Sequence, residues 1–194
     1  MKNFVDFLLA KVYKSIPIPE AMIQNALLKT IADVQYHFPM LSEAEISYRI
    51  ETNNNELAVF LFRLGREAHL ADRHDLKPQL HWLLKELCCC EIYFNNEIGE
   101  GFCVVHGTGT ILGSRNVIGK GFKIHQGCTI GHRKNGEGNG NIIGDNVTMY
   151  ANASIIGELT LGSNIIIGGH VMVTKNVESD KVLILRSEIV TRSL

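Results

Sequence analysis

A period of six residues in the second half of the chain limits its fold more than any other feature. Aliphatic residues stand at every sixth position from Ile143 to Val173, and a second aliphatic or small residue follows each of them four positions later. Glycine often follows the first position, as at Gly144, Gly162 and Gly168. Two registers that stay in phase through six hexads indicate a structural repeat, because a merely apolar composition would not keep them aligned.

The period predicts a left-handed parallel β-helix from about Ile92 to Val177. One hexad supplies a short strand and a turn, and three hexads close one triangular coil of a prism. The first position points into the prism, where a branched aliphatic side chain packs well, and glycine permits the turn between flat faces. Coils then stack at about 4.8 Å, the spacing of paired strands. The same frame holds upstream at Ile92, Ile98, Val104, Leu112, Ile118, Ile124 and Ile130.

The first 90 residues carry helical signals instead. Apolar residues recur at helical spacing over 1–14, 18–38 and 57–71, and a last helix is predicted over 76–89. Ser42 and Glu45 have the spacing of a capping box, which predicts a short helix through Ile50. The chain is therefore predicted to be α+β, with an N-terminal α-helical region followed by a left-handed parallel β-helix.

The change of pattern predicts the organisation of the chain. Helical signals stop and glycine becomes frequent at Glu91. We predict an α-helical N-terminal domain over residues 1–90, a β-helix domain over 91–180 and a C-terminal tail over 181–194. The start of that tail, 181–186, is apolar enough to pack as a final strand.

Composition excludes several classes of function. The formal net charge is -1 at pH 7, which gives no electrostatic reason to bind nucleic acid or an anionic membrane surface. No apolar run is long enough to span a bilayer, and the first 14 residues are interpreted as an amphipathic helix rather than a signal peptide. The five cysteines include the run Cys88, Cys89 and Cys90 but no CxxC pair. They predict reduced, buried thiols in a cytoplasmic protein without a metal site.

The hexad frame is interrupted twice. The spacing between Val104 and Leu112 is eight residues, and between Ile130 and Ile143 it is thirteen rather than twelve. The second excess lies in the polar, glycine-rich segment 132–141, which is predicted to leave the prism as a loop. Loops on a rigid repeat scaffold are frequent sites of chemistry.

Two motifs lie at or near these interruptions. His-Gly-Thr-Gly occupies 106–109, and Gln-Gly-Cys-Thr-Ile-Gly occupies 126–131. With them, from about Glu56 to Val177, the chain resembles the serine acetyltransferase branch of the hexapeptide-repeat acyltransferases, including related polysaccharide O-acetyltransferases. The resemblance implies transfer of an acetyl group from acetyl-CoA to a hydroxyl.

The resemblance also implies catalytic residues. The motif histidine of the family is the general base, which corresponds to His106, and histidine suits that role near neutral pH. The acidic residue fifteen positions upstream orients the base, and this chain has Glu91 where the family usually has aspartate. The residues alone leave open a second interpretation, in which His106 is a structural histidine at an irregular corner.

The family binds CoA in the groove between neighbouring prisms of a homotrimer. The corresponding residues here are Gly131 beside the loop, Ala151, and Lys175 as a partner for a phosphate. A turn glycine at Gly131 and a solvated surface lysine at Lys175 are the alternatives. A homotrimer is predicted, with a dimer of trimers as the larger assembly.

The chain departs from the serine enzymes of the family where the acceptor binds. Val105 stands where aspartate precedes the motif histidine, and 139–141 lacks the Arg-His pair of the loop. His132 and Arg133, at the other end of the loop, are the candidates to bind the acceptor instead. No acidic residue aligns with the N-terminal one that binds the serine ammonium group. These departures favour a saccharide hydroxyl in surface-polysaccharide synthesis, with L-serine as the alternative.

Two further hypotheses belong to other classes. Outward-facing histidines on a prism, such as His125, His132 and His170, are compatible with zinc at a trimer interface, as in the γ-class carbonic anhydrases. The prism is also compatible with a non-catalytic trimerisation scaffold. The two interruptions of the frame favour an enzyme over both.

Overall fold

The computed structural model describes residues 1–134, 137–186 and 192. Within that part of the chain, helices come first and short strands follow, and a 3₁₀ turn over His74–Leu76 precedes the last helix. Parts of the predicted loop (residues 135 and 136) and of the predicted tail (187–191 and 193–194) lie outside the described residues. The helices are α1 Lys2–Leu9, α2 Glu20–His37, α3 Glu43–Thr52, α4 Asn54–Leu70 and α5 Lys77–Cys88.

Local sequence signals explain where these helices begin and end. The capping box at α3 is confirmed, because the Ser42 hydroxyl accepts a hydrogen bond from the Glu45 amide and the Glu45 carboxylate accepts one from the Ser42 amide. Pro19 directly precedes α2. The first helix is shorter than predicted and ends at Leu9. None of the helices in residues 1–134 and 137–186 has the length and apolarity that crossing a membrane requires.

Fourteen strands of two or three residues follow in the described part. Each strand up to β10 pairs in parallel with the third strand after it, and the last strand, β14, pairs with β12. The strands thus form three faces: face 1 (β1, β4, β7, β10, β13), face 2 (β2, β5, β8, β11) and face 3 (β3, β6, β9, β12, β14). The strands are β1 Glu91–Ile92, β2 Glu97–Ile98, β3 Cys103–Val104, β4 Ile111–Leu112, β5 Val117–Ile118, β6 Lys123–Ile124, β7 Thr129–Gly131, β8 Ile142–Ile143, β9 Thr148–Met149, β10 Ser154–Ile156, β11 Thr160–Leu161, β12 Ile165–Ile167, β13 Met172–Val173 and β14 Lys181–Leu183.

The predicted hexad frame is confirmed residue by residue. Each first-position residue from Ile92 to Val173 lies in a strand and is buried inside the prism. Strand pairing keeps that register, since Leu112 lies opposite Ile92 on one side and Ile130 on the other. The predicted final strand is also confirmed, because β14 pairs in parallel with β12. The chain therefore folds as N-terminal helices followed by a left-handed β-helix of about five turns.

The prediction that the second-position glycines permit the turn between faces was wrong. Gly119 and Gly168 are not in the left-handed region; a Cβ at Gly119 would lie 2.8 Å from the Asp145 amide nitrogen, and one at Gly168 would lie 2.8 Å from the Leu183 carbonyl oxygen. Glycine is needed there because the next coil passes too close for a side chain. The left-handed turn residue comes two positions later, as at Gly121 and Asn146.

The cysteine run ends the helical region. Cys88 and Cys90 are buried, as predicted, and burial raises the pKa of both thiols, that of Cys90 to about 12. Such thiols stay protonated and unreactive near neutral pH. The prediction of burial is wrong for Cys89, which is exposed because it terminates α5 with a left-handed backbone (φ 52°).

A ladder of buried asparagines runs along one edge of the prism. The Asn96 side-chain oxygen accepts hydrogen bonds from the Asn116 amide and side chain, and the Asn116 oxygen accepts from the Asn141 amide and side chain. Asn116 also donates to the Gly113 carbonyl at 2.7 Å. The ladder satisfies polar groups that the stacking of coils removes from water.

Removing the middle rung should destabilise the prism. Asn116→Ala leaves the Gly113 carbonyl and the Asn141 amide without their buried partner, so we expect the free energy of unfolding in urea to fall by about 3 kcal/mol. The half-buried coil residue Ser163, whose hydroxyl accepts one bond from the Asp145 amide, is the control. Ser163→Ala should cost less than about 1 kcal/mol, and equal losses for the two variants would contradict the role of the ladder.

A buried ion pair attaches the helices to the first coil. Arg63 in α4 donates two hydrogen bonds of 2.7 Å to Asp33 in α2, and it also donates to the carbonyls of Ile98 and Gly99. Asp33 in turn accepts from the amides of Gly101 and Phe102. One salt bridge therefore sets the position of two helices relative to the prism.

Candidate active site

His106 lies in the first interruption of the hexad frame. The residues after β3 leave the regular coil, and the His106 side chain is exposed at the corner between face 3 and face 1. The rest of this segment is anchored, because the Gly109 amide donates to the Cys89 carbonyl and the Thr110 hydroxyl donates to the His125 carbonyl. An exposed imidazole on an anchored segment suits a group that must meet a substrate.

Three aromatic rings from successive coils form a row along this corner. The rings of His106 and His125 lie 6.0 Å apart edge to face, and those of His125 and Tyr150 are stacked at 4.8 Å. Burial lowers the pKa of His125, and the charge of His106 lowers it further. Both causes favour the neutral form of His125. The hexad frame predicts that His125 faces outward but does not predict this row, because the alignment of the rings depends on how the coils stack.

Glu91 has different partners from the predicted one. Its carboxylate forms an ion pair with Lys85 at 2.7 Å and a hydrogen bond with Tyr93, and Lys85 is the main cause that lowers its pKa. Among the described residues no contact joins Glu91 to His106. The pairing of Glu91 with His106 stays a prediction. In this structure the Glu91 carboxylate is paired with Lys85, in the last turn of α5.

Four of the predicted site residues line one groove on face 1. This groove of about 660 Å³ is lined by Glu91, Gly131, His132 and Arg133, with Tyr93 at its edge. The groove brings the loop residues to the same side of the prism as Glu91.

His132 is held in a defined orientation at this groove. Its Nε2 lies 2.9 Å from the Ser114 carbonyl oxygen, and because a carbonyl can only accept, Nε2 carries the proton. Its Nδ1 is buried and has no hydrogen-bond partner among the described residues.

The other two predicted CoA residues lie elsewhere on the prism. Ala151 follows Tyr150 at the corner of the ring row, and its carbonyl accepts a hydrogen bond from the His170 amide. Lys175 is exposed and lines a separate groove of about 470 Å³ near the C-terminal end of the prism. The structure therefore does not bring Gly131, Ala151 and Lys175 into one pocket of a single chain.

A smaller pocket lies between the helices and face 3. It has a volume of about 300 Å³, its lining includes Arg49, Glu56 and Lys123, and it reaches Val105, the residue before His106. Arg49 donates hydrogen bonds to Glu56 Oε1, while Glu56 Oε2 is buried without a partner among the described residues. The sequence does not predict a site role for Glu56, because no local pattern distinguishes it from the other acidic residues of α3 and α4.

The described residues offer no metal-binding cluster. Across residues 1–134, 137–186 and 192, no three side chains of histidine, cysteine, aspartate or glutamate are grouped to hold an ion. The zinc hypothesis therefore gains no support from His125, His132 or His170.

Comparison with known proteins identifies the fold. No family model matches the chain. A serine acetyltransferase of Neisseria gonorrhoeae, solved in complex with serine, superposes with a TM-score of 0.72 at 23% identity, over 95% of this chain and 72% of that one. This is a serine acetyltransferase-like hexapeptide-repeat fold. The resemblance seen in the sequence is confirmed.

Sequence relatives agree with the structural likeness. A plasmid-encoded serine acetyltransferase of Synechococcus elongatus is 33% identical over 97 residues, which is 45% of this chain and 30% of that protein. The serine acetyltransferase of Staphylococcus xylosus is 28% identical over 123 residues, which is 63% of this chain and 57% of that protein. The match thus spans less than two thirds of the length of each relative.

Proposed function

We propose that this serine acetyltransferase-like chain is an acetyl-CoA-dependent O-acetyltransferase that acts on L-serine. The observation that carries the proposal is the exposed His106, which projects from an anchored segment of a prism with the serine acetyltransferase fold. An exposed imidazole on such a segment has the chemistry of a general base.

The reaction needs one base. As the acceptor oxygen attacks the thioester carbonyl carbon of acetyl-CoA, His106 takes the hydroxyl proton, and an oxygen–carbon bond forms. The carbon–sulfur bond then breaks, and the CoA sulfur receives the proton back from the His106 imidazolium. The His125 ring lies 6.0 Å away, and its lowered pKa favours the neutral form, which adds no positive charge beside the base.

The pocket beside Val105 supports serine as the acceptor. A zwitterion needs an anion for its ammonium group and a cation for its carboxylate. Glu56 supplies a buried carboxylate oxygen that has no hydrogen-bond partner in the described part of the chain, and Arg49 and Lys123 supply the cations. Both relatives described above are serine acetyltransferases. The expectation of a saccharide acceptor rests on Val105, on the missing Arg-His pair and on the unaligned N-terminal acidic residue, and the comparisons give it no support.

The other predicted site residues are proposed to bind acetyl-CoA and the acceptor. Gly131, Ala151 and Lys175 are proposed to contact acetyl-CoA in the groove between neighbouring prisms of a homotrimer, where Lys175 would meet a phosphate. Because these residues do not share a pocket of one chain, a neighbouring prism would complete the site. His132 and Arg133 line the groove on face 1 and not the pocket beside Val105, so they are proposed to contact the acceptor from a neighbouring prism. A cytoplasmic location is proposed from the unbridged cysteines.

One assay tests the acceptor. Release of CoA thiol from acetyl-CoA should be at least about tenfold faster with L-serine than with any member of a panel of sugars at equal concentration, since only serine uses both charges of the pocket. Faster turnover of a sugar would restore the saccharide hypothesis. Thiol release with neither acceptor would contradict the proposed function.

A variant tests the pocket itself. Glu56→Gln keeps the size and the Oε1 acceptor but removes the charge, so we expect the KM for L-serine to rise by about 10- to 100-fold, with a smaller change in kcat. Glu51→Gln, an exposed position at the end of α3, is the matched control and should leave the KM unchanged. An unchanged KM in Glu56→Gln would exclude this pocket as the serine site.

A further inference from the structure

One side chain from the helical region touches the backbone on both sides of His106. The side-chain nitrogen of Asn55 donates to the Val105 carbonyl at 2.9 Å. Its side-chain oxygen accepts from the Gly107 amide at 3.1 Å. Asn55 is fifty positions before the motif, and nothing in the hexad frame connects the two.

These two bonds constrain the backbone angles of His106. The Val105 carbonyl belongs to the peptide plane before the His106 Cα, and the Gly107 amide belongs to the plane after it. Because peptide groups are planar, holding both planes fixes φ and ψ between them. Within the described residues the His106 ring lies edge to face against the His125 ring and makes no hydrogen bond. The direction in which the His106 side chain points therefore depends on the backbone angles of His106.

Asn55 is itself held on a rigid element. It lies in the first turn of α4, where its amide donates to the Asn53 side chain at 2.9 Å. The following residues Leu57 and Ala58 are buried in the core, and α4 packs against β3. The position of Asn55 is therefore set by the packing of a whole helix and not by a loop.

We propose that Asn55 is a positioning residue that aims the His106 imidazole at the reacting hydroxyl. The inference rests on the proposed function of His106 as the base. An amide is required at this position, because it presents one donor and one acceptor at the same time. A carboxylate would place a second acceptor against the Val105 carbonyl, and alanine would offer neither group.

Kinetics of two variants test the proposal. Asn55→Asp keeps the shape and loses the donor, and Asn55→Ala loses both groups. We expect kcat for acetyl transfer to fall by about 100-fold in both, because a small misplacement of a catalytic group has effects of this size. In Asn55→Ala the KM values for acetyl-CoA and for L-serine should change less than about threefold, since no charged group is lost or gained. Asn55 also lines the pocket beside Val105, so the charge added in Asn55→Asp should change the KM for L-serine as well, and the positioning role is judged in that variant by kcat.

The neighbouring residue offers a matched control. Asn54 lies in the same turn of α4, and its side chain donates to the Leu87 carbonyl at 2.9 Å on the other side of the helix end. Asn54→Ala should keep kcat within about twofold of the original chain. Equal losses of kcat in the Asn54 and Asn55 variants would overturn the proposal, because they would indicate a general loss of structure.

A second measurement separates positioning from activity. The imidazole signals of His106 in an NMR spectrum of isotope-labelled full chain, assigned with His106→Ala, should shift or broaden in Asn55→Asp and stay unchanged in Asn54→Ala. This result would support the positioning role even if the original chain transferred no acetyl group. Unchanged His106 signals, or a kcat within twofold of the original in Asn55→Asp, would overturn it.

Discussion

Replacing His106 with alanine should lower kcat for acetyl transfer by about 1,000-fold, within the range that general-base catalysis contributes. The hydroxyl of the acceptor then has no group to take its proton as the oxygen attacks the thioester. The fold should be unaffected, because the side chain is exposed and makes no hydrogen bond within the described residues. Thiol release with acetyl-CoA and L-serine measures the effect, and thermal unfolding checks the fold.

A second histidine serves as the control for this variant. His74 lies in the 3₁₀ turn of the helical region, where its ring meets Lys77. His74→Ala should keep kcat within about twofold, because it changes an exposed position away from the motif. Full activity of His106→Ala would remove the base from the proposed mechanism and leave His106 as a structural corner residue.

Loss of the buried ion pair should have the largest effect on stability. We expect Arg63→Met to lower the free energy of unfolding by about 3–5 kcal/mol, because it leaves the Asp33 charge buried without its partner. The Asp33 side chain is 0% exposed and that of Arg63 only 8%. The carbonyls of Ile98 and Gly99 would also lose their donor. Unfolding in urea measures the change.

The surface offers a matched ion pair for comparison. Arg73 and Asp75 also form a two-bonded pair, but their side chains are 37% and 45% exposed. Arg73→Met should cost less than about 1 kcal/mol. In the double variant Asp33→Asn with Arg63→Met, part of the loss should be recovered, because no buried charge remains. An effect of Arg63→Met as small as that of Arg73→Met would refute the anchoring role of the pair.

Sequence patterns were sufficient for the elements of this fold. Whether Ile143 or Val173 points into the prism follows from its place in a hexad, and the capping box of Ser42 and Glu45 marks a helix start through its own spacing. These are local properties, since each depends on residues a few positions apart. The family motif likewise identified His106 without knowledge of what surrounds it.

Contacts between the helices and the prism could not be predicted from local sequence patterns. Asn55 reaches the segment around His106 across fifty residues, Glu56 lines a pocket that also includes Val105, and Glu91 forms an ion pair with Lys85. Their partners depend on how α4 and α5 sit against the first coil. The Asn96 ladder belongs to the same class, because its buried bonds exist only once coils stack.

The sequence by itself determined a helical region, a hexapeptide prism and the two places where the prism is interrupted, because periodic burial is encoded within each repeat. Tertiary structure alone decided what those interruptions contact. Burial of the apolar faces of the helices against the first coil brings Asn55 and Glu56 to the His106 segment, and no pattern of neighbouring residues carries that information. The proposed base was therefore visible in the chain, while its proposed positioning residue and acceptor pocket depend on the packing of the helices.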